Sequence, residues 1–355
     1  MEKTVAVALS GGLDSAVAAA LLKKENFRVI GIQFRTGYEH GPGDLTSSRL
    51  QSRVDSWAHK VSRQIGIPLE VIDCSEAFER EVVRYFVDAY RSGQTPNPCV
   101  VCNQRIKFGL ILETAKALGA STLATGHYAR TRREGDGQYY LLKGVDEVKD
   151  QSYFLARLTQ EQLRQAMFPL GPYTKEQVRG MAQALGLKFF RGKESQELCF
   201  VRHPSYKDFL FSRAEFPNRP GPIVNNRGEI LGHHQGLHAY TVGQRRGIGI
   251  PGPAPYYVIR LDQQENQLVI GSKSDLAATE CMVTDVHWIG AGPLDKPISA
   301  HTRIRYRHQE AESVLRPLDP YTVTVRFSQA QFAITPGQAA VFYQGKRVLG
   351  SGWIV

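Results

Sequence analysis

Over the first 200 residues, short apolar runs alternate with stretches in which apolar positions recur every three or four residues. Residues 4–9, 28–34, 69–73 and 121–125 have the length and composition of buried strands. Between them Val54, Trp57, Ala58, Val61 and Ile65 fall on one helical face, as do Ile106, Leu110, Ile111, Thr114 and Leu118, and a further helix is predicted over 175–185. Strands alternating with helices predict an α/β fold, a doubly wound parallel sheet with helices on both faces. Such sheets bind ligands at the carboxyl ends of their strands. The segment 10–15, Phe34 and the 124–127 turn should therefore share one rim.

From about Tyr206 the pattern changes. Pro217, Pro220, Pro222, Asn225, Asn226 and Gly228 break the chain into turns. Runs 222–224 and 229–231 predict a hairpin around 225–228, and 256–260 with 268–270 predict another. Between them lies the basic, glycine-punctuated loop 241–251. Past residue 279, strand-like runs at 303–306, 322–327, 339–343 and 347–349 predict a small closed β-barrel. Three regions follow: 1–203, a central β-rich 204–277, and a C-terminal barrel 278–355. The segment 37–48, with Gly37, Gly41, Pro42 and Gly43, predicts a mobile loop beside the rim.

Composition narrows the class. A chain of 355 residues, 42% hydrophobic, can bury more than one core. No apolar run approaches the ~20 residues of a membrane helix, and no signal-peptide pattern is present, so a cytoplasmic protein is expected. Five cysteines in such a chain argue against a disulfide framework. The net charge of +10 is unevenly spread: residues 202–260 carry eight Lys/Arg against three Asp/Glu, and 301–355 seven against three. Basic surplus interleaved with Tyr, His and Gln suits a nucleic-acid backbone.

The rim loop Ser10-Gly11-Gly12-Leu13-Asp14-Ser15 joins a strand to a helix predicted to begin near Ala16. The unpaired N–H groups and the dipole of a helix start attract anions. Gly11 and Gly12 allow close approach, and Ser10 and Ser15 can add hydroxyl donors. The loop lacks the Gly-Lys-Ser/Thr of a Walker A motif and the Gly-x-Gly-x-x-Gly of dinucleotide binders. Asp14 could hold Mg²⁺ on bound phosphates. The loop therefore reads as a pyrophosphate cradle for ATP, with Phe34 against the adenosine and Gly126 permitting its approach.

Cys99-Val-Val-Cys102 precedes a helix, and Cys199 lies in the 194–200 segment. Three thiolates could hold a [4Fe–4S] cluster with one iron open. A helix N-terminus beside Cys102 would instead lower its thiol pKa and make it nucleophilic. Cys74 and Cys281 read as small buried hydrophobes.

Several motifs in order now resemble one family. They are the 10–15 loop, Thr95-Pro-Asn-Pro98 followed by Cys102-Asn103 and Ile106-Lys-Phe108, Ala124-Thr-Gly-His-Tyr128, Lys149-Asp-Gln-Ser-Tyr-Phe154, Ser195-Gln-Glu-Leu-Cys-Phe200, Gly243-Gln-Arg-Arg-Gly247 and Thr335-Pro-Gly-Gln338. Together they resemble the bacterial tRNA-specific 2-thiouridylases of the ATP pyrophosphatase superfamily, nearly end to end. The resemblance implies 2-thiolation of uridine 34, the wobble base of tRNAs for lysine, glutamate and glutamine. ATP adenylates the C2 oxygen and sulfur then displaces AMP. It implies ATP contacts at Ala8, Leu9, Ser10, Gly11, Gly12, Leu13, Asp14, Ser15, Phe34 and Gly126. It implies tRNA contacts at His127, Lys149, Asp150, Gln151, Arg305, Tyr306 and Gln338. The alternation in 303–307 would place Arg305 on a basic stripe of one strand.

The resemblance also implies a Cys199 persulfide, loaded by a cysteine desulfurase or a sulfur-relay protein, and a Cys102 that attacks or resolves it, after which a Cys102–Cys199 disulfide can form. The sequence departs from the family pattern at Cys99, where aspartate is common, at Glu194, another aspartate position, and in 37–53, which lacks the usual acidic, cysteine-containing run. Cys99, Cys102 and Cys199 also resemble the three-cysteine set of iron–sulfur-dependent tRNA thiolation enzymes, so a cluster route and a persulfide route both stay open. Competing readings are another ATP-pyrophosphatase tRNA thiolase, an amidating ligase, and a non-catalytic tRNA-binding or redox-sensing protein.

Overall fold

The structure is a computed structural model that describes residues 3–39, 57–188, 198–201, 205–213, 219–290 and 292–355. The loop expected over 37–48 lies outside these residues from position 40 onward, as does Glu194. The chain forms two compact units, one of residues 1–82, 99–202 and 346–348, the other of 83–98, 203–345 and 349–355.

The first unit is built on a parallel sheet. Its strands are β1 (Thr4–Ala8), β2 (Arg28–Arg35), β3 (Leu69–Asp73), β4 (Thr122–Ala124) and β7 (Ala166–Met167), in the order β3-β2-β1-β4-β7. All four pairings are parallel. Successive strands move outward from β1 to β3, and the chain then crosses to β4 on the other side of β1. That reversal opens a crevice at the carboxyl ends of β1 and β4, the usual ligand position on such sheets. Helices α1 (Leu13–Lys24), α2 (Trp57–Ile65) and α3 (Lys175–Ala184) share a core with β1, in which Val5, Val7, Ala16, Val17, Val61 and Val178 are buried. A hairpin, β5 (Ala129–Arg133) with β6 (Tyr139–Lys143), was not evident in the sequence. Arg347 pairs with Leu142 on β6, and its guanidinium lies over the Tyr140 ring.

The helix foreseen from Ile106 to Leu118 is present in a different register. Pro98–Val101 is α-helical, Cys102–Ile111 is a π-helix, and Leu112–Ala117 is α-helical again. The wider turn exposes Leu110 and Leu118 and buries Phe108 and Leu112 instead. Gln162 supports this turn: its amide N–H groups donate to the carbonyls of Gln104 (2.9 Å) and Phe108 (3.0 Å). Its amide oxygen completes a capping box with Thr159.

The second unit holds two further cores. A four-stranded sheet joins the antiparallel hairpins β8 (Gly221–Val224) with β9 (Ile230–His234) and β10 (Tyr257–Asp262) with β11 (Gln267–Gly271), linked by parallel pairing of β11 and β8. Ile223, Val258, Leu268 and Ile270 form its core. The other core lies inside six strands: β12 (Ala277–Trp288), β13 (Ile298–Arg303), β14 (Ala311–Asp319), β15 (Thr322–Phe332), β16 (Ala339–Gln344) and β17 (Arg347–Ile354). Their order β12-β15-β14-β13-β16-β17 closes through β12–β17 pairing, which removes both sheet edges. This is the expected C-terminal barrel. The run foreseen over 303–306 is an exception, because β13 stops at Arg303 and Arg305 and Tyr306 lie in the turn that follows.

Candidate active site

The loop after β1 is braced by its own hydroxyls. The Ser10 N–H donates to Ser15 Oγ (3.2 Å), the Gly12 N–H to Ser10 Oγ (3.3 Å), and Ser15 Oγ donates to the Gly12 carbonyl (3.1 Å). Helix α1 begins at Leu13, three residues earlier than expected, so Asp14 and Ser15 lie in its first turn. Gly12 is the N-cap and supplies no side-chain cap, which leaves the first-turn N–H groups for an outside partner. Gly11 has φ +80°, and a Cβ there would sit 2.6 Å from the Trp57–Ala58 backbone, so only glycine fits.

Gly126, after β4, is equally constrained. A Cβ on it would lie 2.8 Å from the Asp14 carbonyl carbon and 2.9 Å from the Ser15 nitrogen. Its small size thus lets the 124–127 turn pack on the loop. Phe34, half-buried near the end of β2, pairs with Ile72.

Asp14 does not stand free. Lys175 Nζ donates to both of its carboxylate oxygens at 2.8 Å, and the Tyr128 hydroxyl donates to Oδ1 at 2.8 Å. Coordination of Mg²⁺ by Asp14 would require displacing the ammonium, so this donor set as it stands does not fit a metal. Lys175 and Tyr128 are the members of the site that sequence reasoning missed. Tyr128 ends the quoted Ala-Thr-Gly-His-Tyr motif. Lys175 opens α3, where the sequence signal was only the capping box of Thr174 and Gln177.

Cys74, Cys99, Cys102 and Cys199 occupy the same unit. Cys99 and Cys102, both half-buried, lie within a continuous helical run, Cys102 as the first residue of the π-helix. The expected lowering of the Cys102 pKa by a helix start is overturned. Burial pushes its thiol up to about 12, opposed by the Lys107 ammonium and reinforced by the thiols of Cys199, Cys99 and Cys74. Burial likewise pushes Cys99 up to about 11, with Cys199 adding to the rise and Lys107 opposing it. Cys199 is exposed. Behind it the buried Phe200 ring packs edge-on against Phe78 (5.8 Å) and Tyr38 (6.0 Å). Cys74, at the end of β3, is buried like the core residue it was read as, yet it bears electrically on Cys102. All five cysteines are free thiols. Among the described residues no three His, Cys, Asp or Glu side chains form a group that could hold a metal. Cys99, Cys102 and Cys199 are all described and are not gathered into such a group.

Residues 3–203 match the family described as tRNA methyl transferase HUP domain, 207–272 the tRNA methyl transferase PRC-barrel domain, and 278–354 the aminomethyltransferase beta-barrel domain. The tRNA-specific 2-thiouridylase MnmA of Geobacter metallireducens is 47% identical over 99% of this chain and 96% of its own. That of Syntrophotalea carbinolica is 46% identical over 99% and 98%. The chain belongs to the tRNA-specific 2-thiouridylase family. A solved 4-thiouridine synthetase–RNA complex with bound ATP is 16% identical over 52% of this chain and 41% of its own, with a TM-score of 0.33, a likeness too loose to bear on function.

The positions that the 2-thiouridylase resemblance assigns to tRNA differ in how they are held. His127 is buried, and its Nδ1 shares a 2.6 Å hydrogen bond with Thr125 Oγ1. Burial, then Lys107, holds its pKa well below the usual imidazole value. Asp150 is buried and accepts from the Gly144 and Ser152 N–H groups and the Ser152 hydroxyl. Gln151 is tied to Tyr128 through its backbone N–H and its amide oxygen. Lys149, half-buried, donates its backbone N–H to the Asp146 carboxylate. In the second unit, Gln338 donates to the Thr95 and Pro96 carbonyls, and the exposed Arg305 to the Phe332 carbonyl. Tyr306 is half-buried beside it.

Proposed function

We propose that this chain is an ATP-dependent tRNA uridine 2-sulfurtransferase that converts uridine 34 to 2-thiouridine. The reading is supported by full-length identity to proteins named tRNA-specific 2-thiouridylase. One structural observation carries its chemistry. A single unit holds the uncapped helix start after β1, an exposed Cys199 and a half-buried Cys102.

In this proposal ATP lies along residues 8–15, with Phe34 and Gly126 at the adenosine. The base is splayed from the anticodon loop toward the rim, as chemistry on a nucleobase requires. The uridine C2 oxygen attacks the α-phosphorus, and the bond to pyrophosphate breaks. Helix-start N–H groups stabilise the charge on the departing oxygens. Cys199, facing solvent, accepts a persulfide sulfur from a cysteine desulfurase or relay protein. The terminal sulfur adds to C2 and expels AMP. The Cys102 sulfur then attacks the Cys199 sulfur, its thiol proton passing to the departing base, so that the S–S bond breaks toward the base. This leaves 2-thiouridine and a Cys102–Cys199 disulfide, which an external thiol reduces.

The exposure of Cys199 favours the persulfide route over a cluster route. RNA contacts fall to the basic central region 204–277 and barrel region 278–355 together with Lys149, Arg305 and Tyr306. His127, Asp150, Gln151 and Gln338 shape the backbone that meets the RNA.

The test is nucleoside mass spectrometry of tRNA from a strain lacking the gene. The wild-type gene and Cys99→Ser should restore 2-thiouridine to within a few-fold of each other, while Cys102→Ser and Cys199→Ser restore none. Failure of the wild-type gene sinks the function. A dead Cys99→Ser sinks the persulfide route.

A further inference from the structure

The pair that occupies the rim has a role of its own. Lys175 Nζ sits 2.8 Å from each oxygen of Asp14, in the first turn of α1, and lies 5.7 Å from the centre of the Tyr128 ring. The lysine side chain is 10% exposed and the aspartate 33%, so the pair is sheltered from behind and open on the aspartate side. The lysine is held from several directions. Its backbone N–H donates to Asp146 Oδ2 at 2.9 Å, and the Thr174–Gln177 capping box fixes the turn that carries it. The Tyr128 hydroxyl holds Asp14 Oδ1, and Gly126 lets its turn press on the Asp14 backbone. An ammonium poised at an uncapped helix start adds a full positive charge to the partial charge of the N–H groups, where a polyanion would arrive.

We infer that Lys175 is a phosphate-binding residue of this site and that Asp14 is its positioning partner, holding the ammonium until a pyrophosphate group takes its place. The inference rests on the ATP reading above and deepens it. A pyrophosphate carries more charge than one carboxylate and is drawn to the same helix start, so it competes for Lys175 on arrival. Asp14, freed by that exchange, leaves the ammonium on the departing pyrophosphate. The competing view makes the pair a structural clip between α3 and the loop.

Calorimetric titration of the full-length protein with inorganic pyrophosphate and with ATP, in buffer containing EDTA, separates these views. Lys175→Met should weaken pyrophosphate binding by about tenfold or more, the scale of one charge-assisted contact. Lys175→Arg, which keeps the charge, should stay within about threefold of wild type. Asp14→Asn, which removes the competitor, should bind pyrophosphate as tightly as wild type or more tightly. The double variant Asp14→Asn, Lys175→Met leaves no charge unpaired, and it should bind as weakly as Lys175→Met with a wild-type melting curve. Wild-type affinity in Lys175→Met or in the double variant overturns the inference. So does an Asp14→Asn protein that binds less well in EDTA, because a clip would then explain both residues. Wild-type protein that binds neither pyrophosphate nor ATP overturns the ATP reading itself, and the inference with it.

Discussion

At the scale of single residues, the thiols differ in what surrounds them more than in what they are. Cys199 is exposed, while burial raises Cys99 and Cys102 to about 11 and about 12. A thiol reacts as its thiolate, so of these three sulfurs Cys199 is the most accessible and Cys99 and Cys102 are the less readily ionised. Iodoacetamide at pH 8, followed by peptide mass spectrometry, should label Cys199 at least about tenfold faster than Cys99 or Cys102. Lys107→Met should slow Cys102 further, because the ammonium is the one group that draws its pKa down. Equal labelling of all three would show that burial does not control them. The residues legible in the sequence were those whose partners lie close along the chain, the glycine loop and the Cys-x-x-Cys pair. Lys175 was not, since it meets Asp14 across 161 positions and no spacing rule joins them. His127 and Asp150 were legible as motif members, but their burial was not, because a motif records residue type and not depth.

At the scale of elements, the apolar pattern located β1, β2, β3 and β4 to within a residue or two, because strands of a covered parallel sheet carry near-continuous apolar runs. It missed β12 and β14, which bury one face only in part and mix charged residues into both. It also assumed an α-helical period through 102–111. What overrides that period is tertiary. Gln162, from a helix 54 and 58 positions onward, donates to the Phe108 and Gln104 carbonyls of the wider turn. Gln162→Met keeps the bulk and removes both donors and the capping acceptor. It should cost about 1–3 kcal/mol on urea unfolding and should change the labelling rate of Cys102, which opens the π-helix. Reduced stability with an unaltered Cys102 rate would place the support of the helix elsewhere.

At the scale of the molecule, the buried histidines set the response to acid. His59, His127, His234, His238 and His308 all have pKa values lowered from 6.5, with burial the largest cause in each, and His308 reaches about 4. The folded state thus holds these rings neutral where the unfolded chain protonates them. The unfolded state binds more protons below about pH 6.5, so stability falls as pH drops through that value and continues to fall until the folded rings titrate. The lowered carboxylates Asp136, Glu161, Asp262, Asp275 and Asp319 give up their stabilisation in a lower window, as pH falls below their unfolded values near 3.8 to 4.5. Between about pH 6.5 and 4.5 the histidines therefore dominate, each contributing up to about 1.4 kcal/mol per pH unit. The existing net charge of +10 makes added protons more costly still. Unfolding free energy measured by urea titration should stay level from pH 8 to 7 and then fall steeply toward pH 5. His308→Gln removes one titrating ring beside Arg305 and should reduce the slope by about one proton, whereas an unchanged slope would assign the acid sensitivity to the histidines of the other cores.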